Sequence, residues 1–276
     1  MKKALIGYQV YSAREEAEKD LLSVLKQLKE MGYDGVEFAG FYGYSADQIA
    51  AMLKETGLVA LSDHVPYAKI VADMFGVISD HLKIGCKYIA IPFLEEGCRP
   101  GQPGFAEVIK NIYIFGDLCK KAGIQLLYHN HDFEFVTMCD VYGLDFLYSC
   151  VPEDLLKTEI DTCWVKYSEV DPAEYVRKYT GRAPIVHLKD FVGKKGEAQP
   201  YALINEDGSD DGANSAKAAF EFRPVGYGCQ DIASIIHAGL DAGAFCFIVE
   251  QDQWYNRHPL EAAKMSIDYI NGLGIL

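Results

Sequence analysis

The chain has 276 residues, with 40 Asp and Glu against 26 Lys and Arg, for a formal charge of −14. Half of it is hydrophobic and 24% is charged, the composition of a globular protein with a sizeable core and not of a disordered chain. The acidic balance and the lack of a basic stripe argue against a binder of nucleic-acid backbones. No apolar run reaches the roughly 18 residues that a membrane span needs.

The basic start Met1-Lys2-Lys3 runs into Tyr8, Gln9 and Tyr11 without the apolar stretch and small-residue cleavage site of a secretory leader. Eight cysteines contain no C-x-x-C pair and several sit in apolar runs, so they read as unpaired thiols in a reducing compartment. The expectation is a soluble, cytoplasmic protein.

Along the chain, short β-rich runs alternate with helical patterns. Strands are predicted at 5–11, 35–39, 59–65, 88–93, 125–131, 157–162, 185–191 and 245–251. Leu21, Leu22, Leu25 and Leu28 repeat at helical spacing, with Lys19, Asp20, Lys26, Lys29 and Glu30 on the other side. Ser45 and Gln48 have capping-box spacing for a helix running to about Glu55. Further helices are predicted at 67–84, 104–121, 140–149, 172–179, 232–242 and 259–270. Gly32, Gly57, Gly85, Gly123 and Gly243 stand where helices return to strands, as left-handed caps.

A strand–helix–Gly–strand module at roughly 30-residue spacing demands a parallel sheet. Eight such units fit a closed α/β barrel, the (β/α)8 TIM barrel, as a single domain over 1–276. The chain lacks the Gly-x-Gly-x-x-Gly of a dinucleotide fold and any phosphate-binding Gly-x4-Gly-Lys-Ser/Thr. One long irregular stretch, 192–228, separates the seventh and eighth strands.

Barrel active sites lie at the C-terminal ends of the strands, and here those ends are polar. Strand two carries Glu37 and strand three Asp63-His64. Strand five ends in Tyr128-His129-Asn130-His131-Asp132-Phe133-Glu134, strand six in Glu159-Ile160-Asp161, strand seven in His187-Leu188-Lys189-Asp190 and strand eight in Glu250-Gln251-Asp252. His258 also falls near this rim. Singly, each has an ordinary reading: Asp161 as a cap, Glu250 as a partner of Arg257, Lys189 as a surface lysine. Jointly, imidazoles and carboxylates at four successive strand ends suit a divalent ion such as Mn²⁺, Fe²⁺, Co²⁺ or Zn²⁺. Such an ion would polarise adjacent oxygens of a sugar and stabilise an enediolate, while a flanking carboxylate or His moves the proton. Lys189 could neutralise the oxyanion. Trp164, Trp254, Tyr8, Phe41 and Phe93 could form an aromatic wall for the sugar.

The opening Gly7-Tyr8-Gln9-Val10-Tyr11-Ser12-Ala13-Arg14, the His129-Asn130-His131-Asp132-Phe133-Glu134-Phe135 block, His187-Leu188-Lys189-Asp190 and Pro224-Val225-Gly226-Tyr227-Gly228 resemble the sugar phosphate isomerase/epimerase family with a xylose isomerase-like barrel. The resemblance implies a divalent-metal site of Glu, Asp, His and Glu from strands five to eight. Asp161, His187 and Glu250 match the last three by position; Glu134 is the leading choice for the first, with His129 and His131 as alternatives. Glu134, Glu250, His129, His131 and Lys189 become the catalytic candidates. Gln9, Glu37, His64, Trp164, Arg223 and Trp254 become the substrate contacts. Ketose epimerases of the family place a His where this chain has Trp164, which suggests an apolar or stacking contact in its place.

The expected function is a metal-dependent sugar isomerase or epimerase acting on a small carbohydrate, with neither nucleic acid nor membrane as partner; a homo-oligomer is compatible with the sequence. A lyase on the same barrel, such as a keto-inositol dehydratase or a 3-keto-glycoside eliminase, starts from the same proton abstraction. A non-catalytic sugar-binding barrel is the remaining alternative.

Overall fold

In a computed structural model, residues 4–195 and 220–276 are described. Eight parallel strands close into a barrel: Leu5–Gln9, Gly35–Phe38, Val59–His64, Tyr88–Ile91, Gln125–His129, Leu156–Asp161, Ile185–Leu188 and Cys246–Val249. Each pairs with its successor in the chain, and the eighth closes on the first. Every predicted strand is present, and all eight end earlier than the sequence suggested, the residues past them leaving the ladder for the connecting segments at the rim.

Two apolar layers hold the barrel. The larger lies between the strands and the outer helices, where outward-facing residues such as Ile6, Val36, Ile89, Leu126 and Phe247 meet helical residues such as Leu21, Leu25, Ile49 and Ile112. The smaller fills the barrel itself with Leu61, Ala90, Leu127, Ile185, Cys246 and Ile248. Gly7 and Gly35 give that interior its room, since a Cβ at either would collide with Leu61, and at Gly7 with Ile248 as well. Above this plug the inward positions turn polar.

Helix signals are local and strong. The Ser45–Gln48 capping box forms reciprocally, and the five predicted glycine caps all take left-handed backbone, with φ between 68° and 104°. Two helices differ from expectation. The helix Arg14–Met31 begins earlier than the leucine pattern and breaks at Asp20, whose carboxylate accepts from the Ser23 amide. The stretch 67–84 is two helices, Tyr67–Ala72 and Met74–Ile84, divided at Asp73, which caps the second through the Gly76 amide at 2.8 Å.

The long irregular stretch is partly regular. Asp190–Gly193 pairs antiparallel with Phe220–Arg223 in a separate two-stranded sheet, while residues 196–219 of that stretch lie outside the described residues. All eight cysteines are unpaired, as the sequence suggested. No helix among the described residues is long and apolar enough to cross a membrane.

Candidate metal centre

Alternation along a strand sends every second side chain into the barrel. At the top of the barrel this brings in Gln9, Glu37, His64, His129, Glu159, Asp161, His187 and Glu250, all buried. Two donor groups emerge. His129, Asp161, His187 and Glu250 each offer one ligand atom, all within 4.8 Å of one another, and so do His64, His129, Glu159 and His187.

The rim group lies nearest the loops. His187 Nδ1 is 2.9 Å from Glu250 Oε2, and His129 Nε2 is 3.6 Å from Asp161 Oδ2. Asp161 does two jobs: Oδ1 caps the short helix Thr162–Tyr167 through the Cys163 and Trp164 amides, while Oδ2 has no hydrogen-bond partner. Among the described residues, its only charged neighbour of opposite sign at ion-pair range is Lys189 Nζ, at 3.5 Å, and a buried carboxylate oxygen without a hydrogen bond is costly. With two carboxylates and two imidazoles around it, the space fits a transition-type divalent ion. Asn130 fixes the strand end by bonding both the Asp161 amide and its carbonyl, at 3.0 and 3.3 Å.

Lys189, 1% exposed, stands beside this group with Nζ 2.7 Å from Asp252, 3.3 Å from Glu250 and 3.5 Å from Asp161. Burial disfavours its charge, but these three carboxylates outweigh that and raise its pKa well above the ordinary lysine value. Burial likewise opposes ionisation of Glu250, yet Lys189 and His187 hold it below the usual carboxylate range. Asp161 is pushed up to about 6 by burial, against the pull of Lys189. His129 is held well below the imidazole norm by burial and by His187 and His64.

Other predicted residues fall elsewhere. Glu134 is kept from the donor groups: Oε1 accepts from Tyr128 Oη and Oε2 from the His131 amide, both at 2.7 Å. Burial raises its pKa to about 8 despite those two donors. It braces the turn that carries His131, and His129 takes the fifth-strand position in the rim group. His131 stacks on Phe133 and on Trp164, with Phe93 edge-on at 5.2 Å between ring centres. Burial and Lys189 hold its pKa well down.

Trp164 is fully buried between His131 and the Phe220–Phe222 pair, with Lys189 Nζ 5.2 Å from its ring centre. Phe93 and Trp164 therefore belong to one aromatic cluster beside the rim, whereas Tyr8 packs on Tyr33 outside the barrel and Phe41 near Phe38 and His81. Trp254 lies against the Arg14 guanidinium, and Arg223 pairs with Glu221. Gln9 and Glu37 sit beneath the rim: Gln9 donates to Glu37 at 2.7 Å, and Ser62 donates to the other Glu37 oxygen. His64 bridges Glu37 and Glu159 at 3.1 and 2.7 Å. Asp63 faces outward to His81, and His258 caps the last helix.

Glu159 is the residue not singled out from sequence. Its signal was its place two residues before Asp161, which puts both on the inward face of one strand. Burial and the neighbouring Glu37 raise its pKa to about 7.

Residues 25–272 match the model of the xylose isomerase-like TIM barrel family, and the chain belongs to that family. In sequence it is 35% identical to an inosose dehydratase of Clostridium perfringens over 82 residues, which cover 30% of this chain and only 27% of that enzyme. In fold it is similar to a sugar phosphate isomerase/epimerase from Parabacteroides distasonis, with a TM-score of 0.77 and 20% identity over 100% of this chain and 96% of the other. It is also similar to an L-ribulose 3-epimerase, with a TM-score of 0.67 and 18% identity, covering 99% and 94% of the two chains.

Proposed function

We propose that the protein is a divalent-metal-dependent isomerase or epimerase of a small carbohydrate. The observation that carries this reading is the convergence of His129, Asp161, His187 and Glu250 on one buried space at the catalytic end of the barrel. An ion held by those residues would supply Lewis-acid polarisation of neighbouring hydroxyl and carbonyl oxygens, making the adjacent C–H acidic.

The chain's own groups divide the remaining work. His131 stands outside the ion's set with its ring centre 5.4 Å from that of His129, and is the group we assign to take the proton from carbon and return it; burial and Lys189 lower its pKa and oppose that step, so the acidification of the C–H by the ion has to drive it. Glu134 and Tyr128 hold the turn beneath His131, so that the ring does not have to be positioned during the reaction. Lys189, kept charged by Asp252 and Glu250, faces the negative charge that develops on the substrate oxygen. The aromatic cluster of Phe93, Phe133 and Trp164 offers an apolar side to the C–H face of a sugar.

A second reading is a lyase, favoured by the 82-residue likeness to inosose dehydratase. Both begin with the same proton transfer and part afterwards: the intermediate either regains a proton or expels a β-substituent. The test is incubation of the Mn²⁺-supplemented protein with ketoses, keto-inositols and 3-keto-glycosides in deuterated water, read by mass. Deuterium gain without loss of water or of a glycosyl group supports the isomerase. Loss of either moves the assignment to the lyase, and absence of both across the panel overturns the proton-transfer reading.

A further inference from the structure

The barrel closes where the eighth strand pairs with the first, in a ladder that runs from Leu5 beside Cys246 to Tyr8 beside Val249. Past that point the first strand turns into the short helix Val10–Ala13, and the residues after Val249 have left their strand partner. Buried main-chain groups still need hydrogen bonds, and side chains of the opening segment supply them. Ser12 Oγ accepts from the Gln251 amide at 2.9 Å. Arg14 Nη1 donates to the Asp252 carbonyl at 2.8 Å and to the Tyr11 carbonyl at 3.3 Å.

Arg14 is itself well held. Its guanidinium carbon lies 4.5 Å from the ring centre of Tyr11 and 4.8 Å from that of Trp254. A planar, weakly hydrated cation can stack on aromatic faces while its edge donates hydrogen bonds, which an ammonium group does less well. The Tyr11 amide is fixed in turn by Gln9 Oε1 at 3.0 Å.

What this arrangement places is Asp252. The Asp252 carboxylate is buried and lies 2.7 Å from Lys189 Nζ, while the intervening Gln251 side chain turns away to donate to the Gln253 carbonyl at 2.8 Å. An aspartate side chain has two torsions and a short reach, so the position of its main chain decides whether it meets Lys189. We propose that Arg14 is a positioning residue for the proton transfer assigned above: its bond to the Asp252 carbonyl holds the Asp252 carboxylate against Lys189 across the seam of the barrel. The inference rests on the reading of Lys189 as the cation that faces the substrate oxygen. Without Arg14, Asp252 loses its main-chain anchor, and Lys189 is left with Glu250 and Asp161 at 3.3 and 3.5 Å, the two carboxylates assigned to the ion.

Arg14→Met keeps the apolar stem and removes the donors. In the full-length protein, amide hydrogen exchange read by mass spectrometry should quicken about tenfold or more over residues 251–255, with the strands and the circular dichroism unchanged. Should Arg14→Met fail to fold, Arg14→Gln replaces it with the same expectation. In the deuterated-water assay Arg14→Met should lower kcat roughly tenfold at unchanged KM, and its combination with Asp252→Asn should be no slower than Asp252→Asn alone. Unchanged exchange over 251–255, a raised KM at unchanged kcat, or losses that multiply in the double variant overturns the positioning role. If the wild type turns over nothing in the panel while exchange quickens as expected, the functional reading fails and Arg14 still stands as the anchor of the Asp252 segment.

Discussion

The lower and upper halves of the barrel interior are built by the same strands and the same alternation, yet they do opposite things. Below, Leu61, Ala90, Leu127, Ile185, Cys246 and Ile248 make a dry plug without a polar side-chain atom other than thiol. Above, Gln9, Glu37, His64, His129, Glu159, Asp161, His187 and Glu250 crowd charge and imidazole into a space just as buried. The plug contributes the favourable burial that lets the upper layer keep groups which would otherwise be costly to desolvate. Stability lives in the lower half and chemistry in the upper, and single substitutions should separate the two.

The largest effect is expected at the rim. Glu250→Gln removes a donor that touches both His187 and Lys189, and should lower turnover by roughly 10²–10³-fold or more. The unfolding midpoint in urea should stay near that of the wild type; a variant with full turnover would sink the rim assignment. In the plug the pattern reverses. Leu127→Ala opens a cavity among Ala90, Ile185 and Cys246 and should cost about 2–5 kcal/mol of stability. Metal content per folded molecule should be unchanged, and a fall in metal content equal to that of a rim variant would erase the contrast.

A smaller effect comes from Glu134. Its folded pKa of about 8 lies above the ordinary carboxylate value, so the folded state holds a proton that the unfolded chain gives up. Its burden on stability is absent at low pH, grows as pH rises from about 4.5 to about 8, and is constant above that. Glu134→Gln carries no such burden. The melting-temperature difference between Glu134→Gln and wild type should therefore shift in favour of the variant across that window. A difference that is flat with pH contradicts the raised pKa.

Much of the fold was legible because its signals are short-range. Glycine caps, the Ser45–Gln48 box and strand-length apolar runs each act within a few residues of themselves, and they agree with one another. What escaped depends on reach. Glu134 sits in a motif rich in ligand-type residues, but five residues past His129 the chain has already turned, and its carboxylate is spent on Tyr128 and the His131 amide. The Asp190–Gly193 and Phe220–Arg223 pair is hidden because its partners are distant in sequence. Thr162–Tyr167 is too short for a helical period to show, and only the Asp161 cap announces it. His129, Asp161, His187 and Glu250 were readable as strand-end groups; Glu159, two residues before Asp161, follows from the same alternation and was passed over because it lies one layer below the strand end.

The most direct test of this account compares the bound-metal content of purified, tag-free wild-type protein with that of Asp161→Ala after identical reloading with Mn²⁺, Co²⁺ or Zn²⁺. Asp161 holds a buried oxygen that makes no hydrogen bond in the rim space while its other oxygen caps a helix. The account predicts that the variant folds and loses about one equivalent of metal relative to the wild type. Equal metal content in the two proteins, or no uptake by the wild type, would contradict it.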